Sequence, residues 1–218
     1  MIKAIIFDFD GVLVESANIK TEAFREIFSK WPDKMGDSVE YHLKNMGISR
    51  YVKFRYFYEN ILGEPYSEKI GQELGRQFSV IVLDKIKKAP LVNGTIDFLK
   101  KWHNEYQLFI ASGTPQDELQ DIVSNKGIER FFCSIYGTPA TKFEIVKGVL
   151  ETYSLSKDQV AFVGDAESDK KAAVDSGIHF ILRMTAENRN LTGSKFNIAD
   201  LTQLEDKIAV INKCRMIT

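Results

Sequence analysis

Short apolar runs alternate with amphipathic stretches along this chain. Five runs are rich in apolar residues and bounded by Gly, Ser or Asp: residues 4–9, 107–111, 131–136, 160–163 and 180–182. Runs this short and this continuously apolar predict strands that are buried on both faces. Helical patterns separate most of them, which favours an α/β fold in which helices cover both faces of a parallel sheet.

The predicted helices carry apolar residues at intervals of three and four. Residues 95–102 and 143–150 both follow this amphipathic pattern. A third segment, residues 169–177, ends on Gly177, and glycine commonly closes a helix in the left-handed conformation.

The stretch between the first and second predicted strands is far too long for one crossover helix in a compact domain. Its pattern is helical and rich in aromatic residues, and residues 31–33 and 63–65 have the composition of turns. We therefore predict a helical insert, residues 17–89, whose aromatic side chains form its core. The main α/β domain is then predicted to consist of residues 1–16 and 90–218.

Two carboxylates stand two positions apart at the end of the first apolar run. Side chains alternate faces along a strand, so Asp8 and Asp10 are expected to point toward the same place. Mg²⁺ is commonly held by one or two carboxylates, with substrate phosphate and water completing its shell. The pair therefore predicts a magnesium site, and two solvated acids near a helix start are the alternative.

Further polar groups follow the other predicted strands, and the carboxyl ends of parallel strands meet at one edge of a sheet. These groups are Ser112, Gly113, Lys142, Asp165 and Asp169. A hydroxyl beside a glycine-freed backbone suits an anion, although turn formation explains the same residues. A lysine at a helix start gains nothing from the helix dipole, which suggests a role elsewhere, with an ordinary surface lysine as the alternative.

Composition excludes several classes of protein. The 218 residues carry 29 Lys and Arg against 30 Asp and Glu, a net charge of −1 that predicts no nucleic-acid partner. The only cysteines, Cys133 and Cys214, are far apart, so we expect reduced thiols and a cytoplasmic protein. The first apolar run is too short for a signal peptide or a membrane span.

The order of these motifs resembles the haloacid dehalogenase-like hydrolase superfamily. Asp8-x-Asp10-Gly11, then Ser112, then Lys142, then a Gly-Asp165-x-x-x-Asp169 loop match the family's four motifs. The resemblance implies a Rossmann-like core, and the insert is similar to the helical cap of the phosphoglycolate-phosphatase-like and β-phosphoglucomutase-like branch. Residues 47–50 look like the cap loop that reaches the substrate, so Arg50 is expected to contact a second anionic group. A helix-terminating turn is the other reading of this loop.

By this resemblance the chain is expected to be a phosphoric monoester hydrolase. Asp8 would accept the phosphoryl group as an aspartyl phosphate. Asp10 would protonate the leaving alkoxide and then activate water. Dehalogenases of the family lack this second aspartate because halide leaves without a proton, so a small phosphorylated metabolite is the expected substrate.

The resemblance also implies how a cofactor and a phosphoryl group are held. Mg²⁺ would be bound by Asp8, the backbone carbonyl of Asp10 and Asp165, with Asp169 in support through water or Lys142. Phosphoryl oxygens would be bound by Ser112, by the backbone around Gly113 and by Lys142. Three positions depart from the common pattern without removing a catalytic group: Glu15, Phe143 and Glu167.

Two other functions remain open in the sequence. A sugar-phosphate mutase typically carries histidine at the cap entry, where this chain has Lys20. A catalytically silent binding or regulatory protein would be expected to lack Asp8, Asp10 or the metal acids, and all are present. A monomer and a dimer are both compatible with the sequence, and four residues are predicted to be surface charges: Lys20, Arg55, Arg183 and Arg189.

Overall fold

A parallel sheet forms the centre of the molecule. The computed structural model describes residues 1–186, 188, 191 and 193–214, and these form six strands. In chain order the strands are β1 (Ala4–Phe7), β2 (Gln107–Pro115), β3 (Ser134–Thr138), β4 (Val160–Gly164), β5 (His179–Arg183) and β6 (Asn197–Ile198). Their spatial order is β3-β2-β1-β4-β5-β6, with every neighbouring pair parallel, as the apolar runs predicted.

Two strands depart from the sequence prediction. The apolar run at residues 131–136 is divided, because Glu129–Phe131 forms a 3₁₀ turn and β3 begins only at Ser134. Strand β6 has two residues and was not predicted; it pairs with Leu182 and Arg183 at the sheet edge. Two residues are too few to show a hydrophobic period.

Both faces of the sheet are buried, as the continuous apolar runs predicted. Along β1, Ile5 and Phe7 pack into one hydrophobic cluster, while Ala4 and Ile6 pack into a second on the opposite face. Helices and 3₁₀ turns cover these faces: α5 (Thr95–Trp102), α6 (Gln116–Asn125), α7 (Lys142–Thr152), α8 (Glu167–Ser176), α9 (Leu204–Cys214), Lys157–Gln159 and Leu201–Gln203. Gly177 closes α8 with a φ of 72°, as its position predicted.

Residues 17–89 are helical, as predicted. They form α1 (Ala17–Phe28), α2 (Pro32–Lys44), α3 (Arg50–Tyr56), a π-helical turn (Phe57–Leu62) and α4 (Glu68–Lys88). Helix α1 packs against α2 and α4. Buried aromatic rings fill the space between them: Phe24, Phe28, Phe54, Phe57 and Phe78. The division of the chain into two domains at these boundaries stays a prediction.

In the described part of the chain, none of the helices has both the length and the apolar character that crossing a membrane requires.

Candidate active site

Three buried carboxylates converge at the carboxyl end of the sheet. Asp8 follows β1 and Asp165 follows the neighbouring strand β4; the pairing of Phe7 with Val163 brings the two strand ends level. Asp169 reaches the same place from the first turn of α8, and one oxygen from each of the three carboxylates lies within 4.8 Å of the others. The sequence prediction that these separated motifs come together is confirmed.

Backbone amides help to hold Asp169 in place. One of its oxygens, Oδ2, accepts hydrogen bonds from the backbone amides of Asp165 at 3.2 Å and Ala166 at 3.0 Å. A Cβ atom at Gly164 would lie 2.3 Å from the Cβ of Asp169, so only glycine allows this approach of the helix to the strand end.

Lys142 places its ammonium group between two of these acids, Asp8 and Asp169. Its Nζ lies 2.9 Å from Asp8 Oδ2 and also pairs with Asp169 Oδ1, and its side chain is buried. Thr141 and Glu144 form a capping box that fixes the start of α7. The reading of Lys142 as an ordinary surface lysine is therefore wrong.

The charge of this cluster is not balanced by Lys142 alone. Burial raises the pKa of Asp8 to about 7, with Asp169 and Asp10 adding to the rise and Lys142 opposing it. Burial and the neighbouring Asp8 and Asp169 hold the pKa of Asp165 well above its ordinary value. Burial alone would lower the pKa of Lys142, but Asp169 and Asp8 raise it overall, so this lysine stays charged.

The donor set fits a hard divalent cation. Asp165 Oδ2 is buried and has no hydrogen-bond partner among the described residues. It faces Gly11, where an added Cβ would lie 2.1 Å away and where φ is +76°, so glycine leaves the approach to this oxygen open. Carboxylate oxygens are the ligands that Mg²⁺ prefers, and Asp8, Asp165 and Asp169 are the residues that could hold it.

Asp10 lies beside this cluster in a separate hydrogen-bond network. Its Oδ1 accepts from Ser16 Oγ at 2.7 Å, and its Oδ2 accepts from Lys20 Nζ at 2.5 Å and from Thr114 Oγ1 at 3.2 Å. Burial acts to raise the pKa of Asp10, but the Lys20 ammonium and these hydrogen bonds lower it overall. The prediction that Lys20 is a surface charge is wrong, because its side chain is only 19% exposed and its ammonium contacts both Asp10 and Thr114.

Of the other predicted surface charges, Arg55 is exposed, as expected. Arg183 is buried and pairs with Glu15 Oε1 at 2.6 Å, so that prediction is wrong. Arg189 lies outside the described residues. Asn188, which the sequence analysis did not single out, donates a hydrogen bond to the backbone carbonyl of Asp165 at 2.8 Å and so supports the acidic loop.

Two neighbouring cavities between the insert and the sheet border predicted site residues. The smaller one, about 40 Å³, is bordered by Asp8, Asp10 and Asp165. The larger, about 330 Å³, is bordered by Ser112 and Lys142. Residues that border both are Gly47, Ile48 and Gly113.

The insert loop closes tightly on the sheet at this border. A Cβ atom at Gly113 would lie 2.6 Å from the backbone oxygen of Gly47. Ser168 Oγ, at the start of α8, donates to the backbone oxygen of Met46 at 3.0 Å. The loop that the sequence indicated as a substrate contact therefore sits directly on the predicted phosphoryl-binding residues.

Arg50 borders the smaller cavity, and its guanidinium is already paired. Nη2 lies 2.5 Å from Glu118 Oε2 on α6, and Nη1 donates to Ser79 Oγ at 2.9 Å. A direct contact between Arg50 and substrate stays a prediction. Two polar residues of the insert that the sequence analysis missed, His42 and Lys53, are buried at the same cavity.

Comparison with known proteins identifies the relatives of this chain. The model of the haloacid dehalogenase-like hydrolase family matches residues 5–183. The chain belongs to this family. It is therefore a member of a hydrolase family, and its acidic cluster stands at the positions where the resemblance to the family expects catalytic and metal-binding acids.

Individual relatives agree with this assignment. A phosphorylated carbohydrates phosphatase from Thermotoga maritima is 25% identical over 188 residues, which cover 82% of this chain and 83% of that protein. The crystal structure of a predicted phosphoglycolate phosphatase from Haemophilus somnus matches with a TM-score of 0.75 and 18% identity, covering 94% of this chain and 97% of that one. CbbY from Rhodobacter sphaeroides, crystallised with phosphate, matches with a TM-score of 0.74 and 19% identity over 94% of this chain and 96% of its own. At these identities the two structures support the fold.

Proposed function

We propose that this chain is a magnesium-dependent phosphatase that hydrolyses a small phosphate monoester through an aspartyl phosphate on Asp8. The observation that carries the proposal is the cluster of Asp8, Asp165 and Asp169 around the ammonium of Lys142. Phosphoryl transfer needs positioning and charge stabilisation above all, and this cluster supplies a nucleophile beside a fixed cation.

Asp8 is the nucleophile of the first step. Its Oδ1 accepts a hydrogen bond from the backbone amide of Phe9 at 2.7 Å, and its Oδ2 faces Lys142. An oxygen of the Asp8 carboxylate attacks phosphorus, the bond between phosphorus and the ester oxygen breaks, and the alcohol leaves. Lys142, Ser112 and the backbone around Gly113 are the groups we assign to the phosphoryl oxygens.

Asp10 transfers the proton in each of the two steps. It gives a proton to the leaving alkoxide and becomes a carboxylate, which the Lys20 ammonium at 2.5 Å stabilises. As a carboxylate, Asp10 then takes a proton from the water that attacks the aspartyl phosphate, which releases inorganic phosphate and restores Asp8. Ser16 and Thr114 keep the Asp10 carboxylate oriented throughout.

A bound Mg²⁺ would neutralise the carboxylates and stabilise charge on the phosphoryl oxygens. Asp8, Asp165 and Asp169 are the side chains we assign to it, together with the backbone carbonyl of Asp10. Lys142 pairs with two of these acids and so limits their repulsion.

The substrate we propose is a small phosphorylated carbohydrate or a phosphoglycolate-like ester. The names of the relatives support this class, and so does the enclosed position of the site. A cavity of about 40 Å³ holds no more than a few water molecules, whereas small-molecule sites typically measure about 300–1,000 Å³. Gly47 and Gly113 border both this cavity and the larger one of about 330 Å³ beside Ser112 and Lys142, which falls within that range.

Release of inorganic phosphate from an aryl phosphate, with and without Mg²⁺, tests this function. We expect Mg²⁺-dependent release by the native protein and loss of that activity in Asp8→Asn. Asp84→Asn is the matched control, because Asp84 is an exposed residue on α4 that pairs with Lys88 one turn along the same helix. Full activity of Asp8→Asn would refute the nucleophile assignment.

Product analysis separates the phosphatase from its two alternatives. Incubation with a hexose 1-phosphate and its bisphosphate gives inorganic phosphate if the chain is a phosphatase and an isomeric sugar phosphate if it is a mutase. A silent binding protein gives neither product with any ester of a broad panel.

A further inference from the structure

A row of three buried polar side chains crosses the helical insert and ends at the smaller cavity. Thr21 on α1, His42 on α2 and Lys53 on α3 are each at most 5% exposed. Lys53 Nζ lies 3.0 Å from His42 Nδ1, and His42 Nε2 lies 3.1 Å from Thr21 Oγ1. None of these residues belongs to the proposed phosphoryl-transfer machinery.

The hydrogen bonds of the row run in one direction. Burial and the neighbouring Lys53 lower the pKa of His42 to about 2, so its ring is neutral. The amine of Lys53 donates to Nδ1, which leaves the ring proton on Nε2 to be donated to Thr21. Thr21 in turn donates to the backbone oxygen of Ala17 at 3.4 Å. The row therefore fixes the position of Lys53 without supplying a negative charge.

Among the described residues, Lys53 lacks the carboxylate partner that the other cations at the site have. Lys20 pairs with Asp10, Arg50 pairs with Glu118, and Lys142 pairs with Asp8 and Asp169. For Lys53, no described carboxylate forms an ion pair; its other neighbour is the ring of Phe24, whose centroid lies 5.3 Å from Nζ.

An amine held in this way is costly for the fold. Burial, with Lys20 and Lys142 nearby, pushes the pKa of Lys53 well below its ordinary value. A buried cation without a counter-ion opposes folding, and such groups concentrate at functional sites. An entering anion would supply the missing charge.

We propose that Lys53, positioned by His42, binds a second anionic group of the substrate, distinct from the phosphoryl group that Asp8 attacks. The proposal rests on the phosphatase function proposed above and adds a substrate class: phosphate monoesters that also carry a carboxylate or a second phosphate. Sequence analysis gave this role to Arg50, but its guanidinium already has Glu118 and Ser79 as partners. Lys53 borders the same cavity and forms no ion pair with a described carboxylate.

Matched pairs of esters test this proposal. In the carboxylate arm, 2-phosphoglycolate is compared with 2-hydroxyethyl phosphate; in the phosphate arm, propanediol bisphosphate is compared with hydroxypropyl phosphate. The quantity measured is the ratio of kcat/KM for the anionic ester to that for its neutral partner. Because both values come from one preparation, the ratio does not depend on the folded fraction.

We expect the native protein to favour the anionic member of at least one pair. In Lys53→Met this ratio should fall about 10- to 100-fold, mainly through KM, as expected for loss of one hydrogen bond to a charged group. Methionine fits the buried position, and thermal denaturation checks the fold, which loses an unpaired buried amine but leaves His42 Nδ1 without its donor. Lys69→Met, at an exposed position on α4, is the control and should keep the native ratio.

His42→Phe tests the positioning role. Phenylalanine keeps a ring against Phe24, whose centroid lies 4.3 Å from that of His42, but it removes the Nδ1 acceptor. The ratio should fall about threefold to tenfold through KM.

Two results would overturn the proposal, and they are distinguishable from failure of the phosphatase function. One is a native ratio near one in both arms, with the aryl phosphate still hydrolysed. The other is an unchanged ratio in Lys53→Met. A collapsed ratio in Arg50→Met would then assign the anion to Arg50. If the native protein releases no phosphate from any ester, the proposed function itself fails, and the substrate class fails with it.

Discussion

The two sides of the smaller cavity carry opposite charge. The sheet side presents the carboxylates of Asp8, Asp10 and Asp165. Asp169 and the ammonium of Lys142 adjoin them. The insert side presents cations: Lys20, Arg50 and Lys53. The sheet side is suited to a divalent cation and a phosphoryl group, whereas the insert side is suited to the anionic parts of a substrate.

The two sides also differ in how their residues are held. On the sheet side, each acid follows a strand end or begins a helix, and the backbone itself fixes its position. On the insert side, the cations sit on two helices, α1 and α3, and depend on pairing with side chains from other elements. Substitutions on the sheet side should therefore abolish chemistry, while those on the insert side should change selectivity or pH dependence.

Removal of the sheet-side ammonium should have the largest effect. Lys142→Met leaves the buried carboxylates of Asp8 and Asp169 without their shared partner. We expect kcat to fall about 10³-fold and the free energy of unfolding to fall by about 3–5 kcal/mol. Thermal denaturation should show a Tm about 6–20 °C lower in the absence of Mg²⁺.

The control for this change is Lys147→Met, on an exposed part of the same helix. Its free energy of unfolding should stay within about 0.5 kcal/mol of native. A Lys142→Met protein with native kcat and native Tm would remove Lys142 from the centre of the site.

Asp10→Asn should slow the hydrolysis of esters with poor leaving groups more than that of esters with good ones. We expect kcat/KM for an alkyl phosphate to fall about 10²- to 10⁴-fold, because an alkoxide needs a proton to leave. The loss on p-nitrophenyl phosphate should be smaller, since nitrophenolate leaves without protonation. Steady-state kinetics on both esters measure the contrast, and equal losses would count against a proton-donating role for Asp10.

Lys20→Met should change the pH profile more than the maximal rate. The Lys20 ammonium lowers the pKa of Asp10 against the effect of burial, so its removal raises that pKa. The limb of the kcat/KM profile that reports this carboxyl should move to higher pH. An unmoved limb in Lys20→Met would show that the ion pair does not control Asp10, and the exposed Lys30→Met serves as the control.

The smallest effect we predict is a change with pH in the stability of the metal-free protein and in its stabilisation by Mg²⁺. Burial raises the pKa of Asp8 from 3.8 to about 7, so between these values the folded protein binds more protons than the unfolded chain. The stability of the metal-free protein should therefore fall as pH rises from about 4 to about 7. The lowered pKa of Asp10 acts in the opposite sense, but its contribution is lost only at more acidic pH.

Mg²⁺ binds the ionised carboxylates, so it should raise the Tm more at pH 7.5 than at pH 5.5. At a 100-fold excess over its Kd it should add about 2.7 kcal/mol. Asp165→Asn should reduce this increment. An increment that is equal at both pH values would contradict a metal site built on Asp8 and Asp165.

Much of the fold and of the sheet side of the site could be predicted from the sequence. The physical reason for this success also limits it. Strands buried on both faces produce continuous apolar runs, and residues that follow such runs must meet at one sheet edge. Asp8, Asp165 and Asp169 could therefore be predicted without any tertiary information. Strand β6 could not, because its two residues pair only through the register set by β5.

The contacts of the insert side could largely not be predicted from the sequence, for a different reason. The contacts between Lys53 and His42 and between His42 and Thr21 join three helices, and no periodicity relates their positions. Lys20 and Arg183 look like solvated charges in sequence because their partners, Asp10 and Glu15, are brought to them only by the packed fold.

The central claim is that Asp8 carries the transferred phosphoryl group. Rapid acid quenching of native protein turning over an aryl phosphate with Mg²⁺, followed by peptide mass spectrometry, tests it directly. We predict that one phosphoryl group is found on the peptide that contains Asp8 and that the same peptide from Asp8→Asn is unmodified. Phosphate release that continues with the modification on another residue, or in Asp8→Asn at the native rate, would contradict the account.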